Sequence, residues 1–406
     1  MNRNIEKVFL LLLQENTDKE GINKKIRYFK DKDWQALSDF VLRSDLFPLF
    51  HNRLLSLESE NIPHNFMFEL KTKYLLNLRR NIMLEKELFN ITGNFRKNNI
   101  SIVPLKGPAL AEFLYGDLSL RQTSCDLDLL VRQEQLEEAE HALKKIGFVP
   151  SAKSEDASRR NFNLKYYREL GFIKDSNGLL VELHIDLRQL FTFAPLEDFW
   201  NNSKELDLNG NKILIPSGEC LLVYLSLVAM SINEFVELRY LYDIHTLMSK
   251  FRKELGLQEL QSKLKDARYG AAVFFALRLS CGFFGTNIPA DFLKKISPNW
   301  VKLFLLKLWI NKGNVLRRRK NAGHSWYYFF TAWHYFVSSY LYSKGIFDCI
   351  RIIYRKIFLP PDEIAGYYKQ PLPKIAYFLY IKRLLKPITR LLFKKDKRKQ
   401  TPINLP

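Results

Sequence analysis

Apolar residues recur at three- and four-residue spacing along the first 98 positions, the pattern of helices with one buried face. It predicts helices over residues 4–14, 34–42 and 66–95, the last with Leu70, Tyr74, Leu75, Leu78, Ile82, Leu84 and Leu88 as its buried stripe. Beyond Asn99 the period shortens. Residues 101–107 read as a short strand ending in glycine, and residues 108–116 as a short helix opened by proline, whose missing N–H does no harm there. Residues 126–131 alternate as a strand does, and 134–147 form a helix with acids early, lysines late and a glycine stop. Strands are predicted at 163–174 and 179–187 around a turn at 175–178, then a second hairpin, 205–208 with 212–215. After Pro216 the pattern is helical again. Four regions follow: helical 1–98, an αβ core at 99–216, a helical 217–300 that packs on it, and 301–406, basic and aromatic-rich.

The charge changes this picture at one end. Of a net charge of +20, residues 301–406 carry +18, from 22 Lys and Arg against 4 Asp and Glu. The clusters are 316–320 and 382–399, the second with apolar residues at helical spacing between its cations and a kink expected at Pro387. A basic amphipathic helix suits an anionic membrane surface, and the same charges suit nucleic-acid phosphates or a merely solvated tail. Cys125, Cys220, Cys281 and Cys349 are scattered, with no zinc spacing, which points to a reducing compartment. No secretory signal is read at the start, and the aromatic run 326–342 is interrupted by polar residues. The expected place is the cytoplasm, with peripheral contact at the inner membrane surface.

The chemistry concentrates in the αβ core. Asp126 and Asp128 sit one residue apart on a strand, so both project to one side, about 7 Å apart along it. Two such acids repel unless a cation lies between them, and magnesium takes carboxylates together with substrate phosphates. A solvated strand edge would hold the same pair without any metal. Glu182, His184 and Asp186 share one face of a later strand, opposite Val181, Leu183 and Ile185. If the strands are neighbours, Glu182 is a third carboxylate, to ligate metal or take a proton. His184 would orient that base, touch substrate or serve only as a structural hydrogen-bonding group, and Asp186 reads as a surface acid. Lys106 and Gly107 open a helix where free backbone N–H groups favour an anion. Arg121 would clamp a triphosphate or pair with Asp117 or Asp126. Arg239 and Asp243, four apart on a helix, would pair with each other, or Arg239 would line the pocket.

Taken together, the segments PLKGPALAEFLYGDLSLRQTSCDLDLLV (104–131), ALKKIGFV (142–149), VELHIDL (181–187) and ELRYLYDIHTLM (237–248) resemble nucleotidyltransferases of the polymerase-β type. They look closest to a poorly characterised bacterial family within that superfamily. The resemblance implies an α+β fold, a mixed-sheet core flanked by N-terminal and C-terminal helical regions. It implies Asp126, Asp128 and Glu182 as catalytic metal ligands, two Mg²⁺ ions, and a nucleoside triphosphate such as ATP as substrate. Phosphates would be met by Lys106, Gly107, Arg121, Ser124 and His184. The superfamily's Gly-Ser pair is here Gly107-Pro108, so its phosphate-binding hydroxyl is absent, and Lys106, Arg121, Thr123 or Ser124 would replace it. The acceptor is open: a sugar, a small molecule, a protein side chain or an RNA end. Two rival readings are a catalytically silent regulatory module of this fold and a membrane-surface scaffold acting through its basic C-terminus.

Overall fold

A computed structural model describes residues 3–14, 18–152, 154–187, 196–231, 237–313, 315–316, 337, 339–358, 360–361 and 363. The chain divides into two compact units, Met1–Lys320 and Asn321–Pro406. In the second unit the helix Ile346–Ile357 is described. The basic segment 382–399 and most of 316–320 and 326–342 lie outside the described residues.

The first unit begins with helices α1 (Arg3–Leu12), α2 (Lys19–Ile26), α3 (Asp31–Arg43), α4 (Phe47–Leu55) and the long α5 (His64–Lys97). A sheet follows from β1 (Ile102–Pro104), β2 (Asp126–Val131), β3 (Phe148–Pro150), β4 (Glu169–Lys174) and β5 (Leu180–His184). Its order is β1-β2-β5-β4-β3, with β2 and β5 parallel and the remaining neighbours antiparallel. Helices α6 (Pro108–Tyr115) and α7 (Leu136–Lys145) lie between strands in sequence, and α8 (Ala157–Phe162) precedes β4. After α9 (Leu196–Asn201), the hairpin β6 (Lys204–Leu208) with β7 (Asn211–Ile215) forms its own two-stranded sheet. Helices α10 (Gly218–Ser231), α11 (Leu238–Phe251), α12 (Leu257–Asp266), α13 (Gly270–Phe284), α14 (Ala290–Lys295) and α15 (Trp300–Trp309) complete the unit. The result is a mixed α/β core between helical regions, as expected of an α+β nucleotidyltransferase.

One face of the sheet is dry. Leu127, Leu129 and Val131 of β2 and Val181 and Leu183 of β5 meet Leu84, Leu88, Ile91 and Phe95 of α5 and Leu136, Ala139 and Leu143 of α7 in a single apolar core. Strand alternation then sends Asp126, Asp128, Glu182 and His184 to the opposite face. The core therefore sets which side chains are presented for chemistry.

Three expectations change in the structure. The stripe predicted for α5 holds at Leu70, Leu84 and Leu88, which are buried, and fails between them: Leu75 and Ile82 are about half exposed, at 50% and 51%, while Asn77 and Asn81 are buried. Those two amides donate to backbone carbonyls of Leu118 and Arg121, ahead of β2, and the hydrophobic pattern cannot reveal that. The strand predicted over 163–174 starts only at Glu169, because Asn163–Tyr167 winds as a π-helix and Arg168 turns through φ 56°. Asp186, expected on the surface, is buried at 3% exposure.

Candidate active site

The site is held from behind by α5. Asn81 donates to the carbonyls of Leu118 and Arg121 and accepts from the Thr123 hydroxyl, and Asn77 also donates to the Arg121 carbonyl. These bonds pin the segment that enters β2, so the first residues of that strand start from a fixed place. On the other side, the Leu105 amide donates to the Asp128 carbonyl at 2.9 Å, which brings Lys106 alongside the strand. Gly107 follows at φ 88°, a backbone conformation costly for any side chain, and caps α6. Because Pro108 has no N–H, the anion site expected here has one donor fewer at its opening.

In the parallel ladder Asp128 stands level with Glu182, and Leu130 with His184. Across the antiparallel ladder Glu169 stands level with His184. His184 Nε2 lies 3.0 Å from Asp128 Oδ1 and 3.9 Å from Glu182 Oε2, while its Nδ1 lies 3.7 Å from Glu169 Oε2. Lys106 Nζ is 2.8 Å from Asp128 Oδ2 and 3.7 Å from Asp126 Oδ2. One ligand atom each from Asp128, Glu182 and His184 falls within 4.8 Å of the others. Asp126 sits at the rim beside the lysine.

Burial makes each of these charges depend on its neighbours. Desolvation alone would raise the Asp128 carboxyl, but the His184 hydrogen bond and the Lys106 charge overcome it and hold it below the usual range. For His184, burial pulls the other way from the result. The hydrogen bond and charge of Asp128, with Glu169 and Glu182 behind it, raise the imidazole above its ordinary value. Lys106 is likewise held charged against burial, chiefly by the carboxylates of Asp128 and Asp126.

These groups fit a divalent cation. Carboxylate oxygens with one imidazole nitrogen are a donor set for such ions. Asp128 Oδ2 is buried and receives no hydrogen bond of good geometry, only the charge of the ammonium. Glu169 places a carboxylate 3.7 Å from the far ring nitrogen, behind the imidazole, on the side where carboxylates orient histidine ligands in metal sites.

The other sequence candidates are placed differently. Arg121 does not face the carboxylates: its guanidinium is 2% exposed and grips Asp243, with Nη2 to Oδ2 at 2.8 Å and Nε to both oxygens at 3.1 Å. Tyr115 donates to the same Asp243 at 2.7 Å. The pairing expected between Arg239 and Asp243 is thereby replaced. Arg239 instead donates to the Gln122 carbonyl at 3.2 Å, pairs with Glu237 at 3.3 Å and lies over the Tyr240 ring. Ser124 is half-buried two positions before Asp126, and Thr123 is committed to Asn81. Glu169 was not singled out from the sequence. Glu169 carried a signal only in pairing register, which requires knowing that β4 lies against β5.

Residues 30–285 match the family described as "Uncharacterised nucleotidyltransferase", a span that contains the whole sheet, both aspartates and the helix bearing Asp243. No curated protein and no solved structure matches the chain. With the family covering well over half the chain and the ligand-bearing strands inside it, this protein belongs to the uncharacterised nucleotidyltransferase family.

Proposed function

We propose that this chain transfers a nucleoside monophosphate from a nucleoside triphosphate, such as ATP, to a hydroxyl acceptor, with two Mg²⁺ ions as cofactor. The observation that carries the reading is the convergence of Asp128, Glu182 and His184 beside Lys106 and Asp126 on one face of the sheet. Asp128, Glu182 and His184 would hold an inner ion, and Asp126 with Asp128 an outer one. Such ions polarise the α-phosphate and screen the charge of the departing pyrophosphate. The acceptor oxygen bonds to the α-phosphorus as the bond to the β-phosphate oxygen breaks, and the hydroxyl proton passes to Glu182. Lys106 and the amides that follow Gly107 meet the phosphates. Acceptors compatible with this core are a sugar, a small molecule, a protein side chain or an RNA end.

The test is a panel of labelled nucleoside triphosphates with Mg²⁺ and candidate acceptors, read by label transfer and intact mass. Wild type transfers label, and Asp128→Asn and Glu182→Gln lose activity by at least about 100-fold, as direct ligands should lose no less than the groups behind them. Triphosphate binding left unchanged by Asp126→Ala and Asp128→Ala would count against the assignment.

A second reading concerns location, and one observation favours it. On the helix Ile346–Ile357 and its cap, Ile346, Phe347, Ile350, Tyr354 and Phe358 are all exposed, Phe347 at 85%, and they share one side of the helix. Arg351 and Arg355 border that stripe, also exposed. An apolar strip edged by cations suits the interface of an anionic membrane. Among the described residues no helix is long and apolar enough to cross one.

A further inference from the structure

We propose that the Lys106 ammonium is the resident cation of the outer carboxylate position, excluding a second metal ion until nucleotide phosphates draw it away. This rests on the nucleotidyltransferase reading and adds to it how cation loading is coupled to substrate.

The aspartates of β2 repel each other, and in this chain the compensating charge is internal. Lys106 reaches both, at 2.8 Å and 3.7 Å. It is no loose surface lysine: its side chain is 24% exposed, and the Leu105 amide bonded to the Asp128 carbonyl anchors its backbone beside the strand. Asp128 Oδ2 is buried, so an ion bound there would have to take the place of the ammonium rather than approach from elsewhere. The two oxygens of Asp128 are thus divided. Oδ1 faces His184 and the inner group, and Oδ2 faces the lysine.

An ion in the inner group leaves the lysine where it is. An outer ion does not, because the same carboxylates would have to hold two cations with no added anion. A triphosphate changes that balance. It brings negative charge and an ion together, and it gives the ammonium new acceptors within reach of a flexible four-carbon stem. The lysine would then exchange carboxylates for phosphates as the outer ion arrives, which keeps the free protein from assembling a complete two-ion site without substrate.

The measurement is a titration of the full chain with Mn²⁺, following the spin-resonance signal of free ion. One ion per chain is expected for wild type alone, and two with a non-hydrolysable α,β-methylene triphosphate. Lys106→Ala should take two ions without nucleotide, and Lys106→Arg, which keeps the charge, should stay at one. Lys106→Gln, neutral and of similar reach, is the second neutral variant should the alanine chain fail to fold. Two ions in nucleotide-free wild type, a single ion in both neutral variants, or a single ion in wild type saturated with the analogue would each overturn the proposal. No Mn²⁺ bound by any variant would overturn the nucleotidyltransferase reading itself, and the proposal with it.

Discussion

At the scale of single residues, the site is a chain of contacts from Glu169 through His184 to Asp128 and Lys106. If Glu169 orients the imidazole, Glu169→Gln should weaken divalent-ion binding by about 10–100-fold, measured by calorimetry, without unfolding the protein. Unchanged affinity would reduce Glu169 to a neighbour. A second residue reports on stability alone. His51 on α4 is buried, stacks on Tyr74 at 4.7 Å, and has no hydrogen bond to either ring nitrogen. Burial, with the Lys71 charge nearby, lowers its pKa below the ordinary 6.5. The unfolded chain therefore binds a proton before the folded one does. Stability should fall as pH drops from 6.5 towards the folded value, and level off below it. His51→Phe keeps the ring stack and removes the titration, so its denaturation midpoint should fall less over that window than that of wild type. The aspartates and Glu182 were legible in the sequence because alternation alone assigns them a face. Lys106 was legible too, as a phosphate contact beside Gly107, but its pairing with the aspartates was not, nor was Glu169: turn geometry and cross-strand register bring them in, and no local pattern carries those.

Elements show the same division. Strand β2, helix α6 and the β6–β7 hairpin emerge nearly as the sequence pattern predicts, because proline, glycine and alternation are local signals. Helix α5 emerges over nearly its predicted span, but the middle of its buried face does not, since Asn77 and Asn81 occupy it for the sake of carbonyls some 40 residues away in sequence. Asn81→Leu should cost about 1–3 kcal/mol by leaving buried carbonyls unmade, and urea denaturation would register it. The helix α11 is tied to the core by Arg121 and Asp243, both nearly devoid of exposure. Breaking that pair from one side with Arg121→Met strands a buried carboxylate and should cost about 3–5 kcal/mol. Arg121→Met combined with Asp243→Leu should recover much of the loss. Equal losses in the single and double variants would mean that Tyr115 and the surrounding packing, and not the ion pair, hold the helix in place.

For the whole molecule, the sequence anticipated an uneven charge, and the described part of the second unit adds an exposed apolar strip to it. The full chain is expected to co-sediment with vesicles containing phosphatidylserine and to detach as salt is raised. Phe347→Glu should weaken that binding while leaving nucleotide chemistry intact. Binding that survives both high salt and Phe347→Glu would point to another attachment. The basic segment 382–399, whose sequence suggested this behaviour first, lies outside the described residues, so the strip at Ile346–Ile357 is the part of the reading that the structure makes specific.

The level pairing of Asp128 with Glu182 has a consequence for how such an enzyme can diversify. Sliding β5 by a single position would send Glu182 into the dry layer and turn Val181 or Leu183 outward, losing the core and the chemistry in one stroke. Insertions or deletions within these two strands should therefore cost both the core and the site. Under the proposed transfer, new acceptors would be accommodated by point changes, or by remodelling loops that leave the ladder untouched.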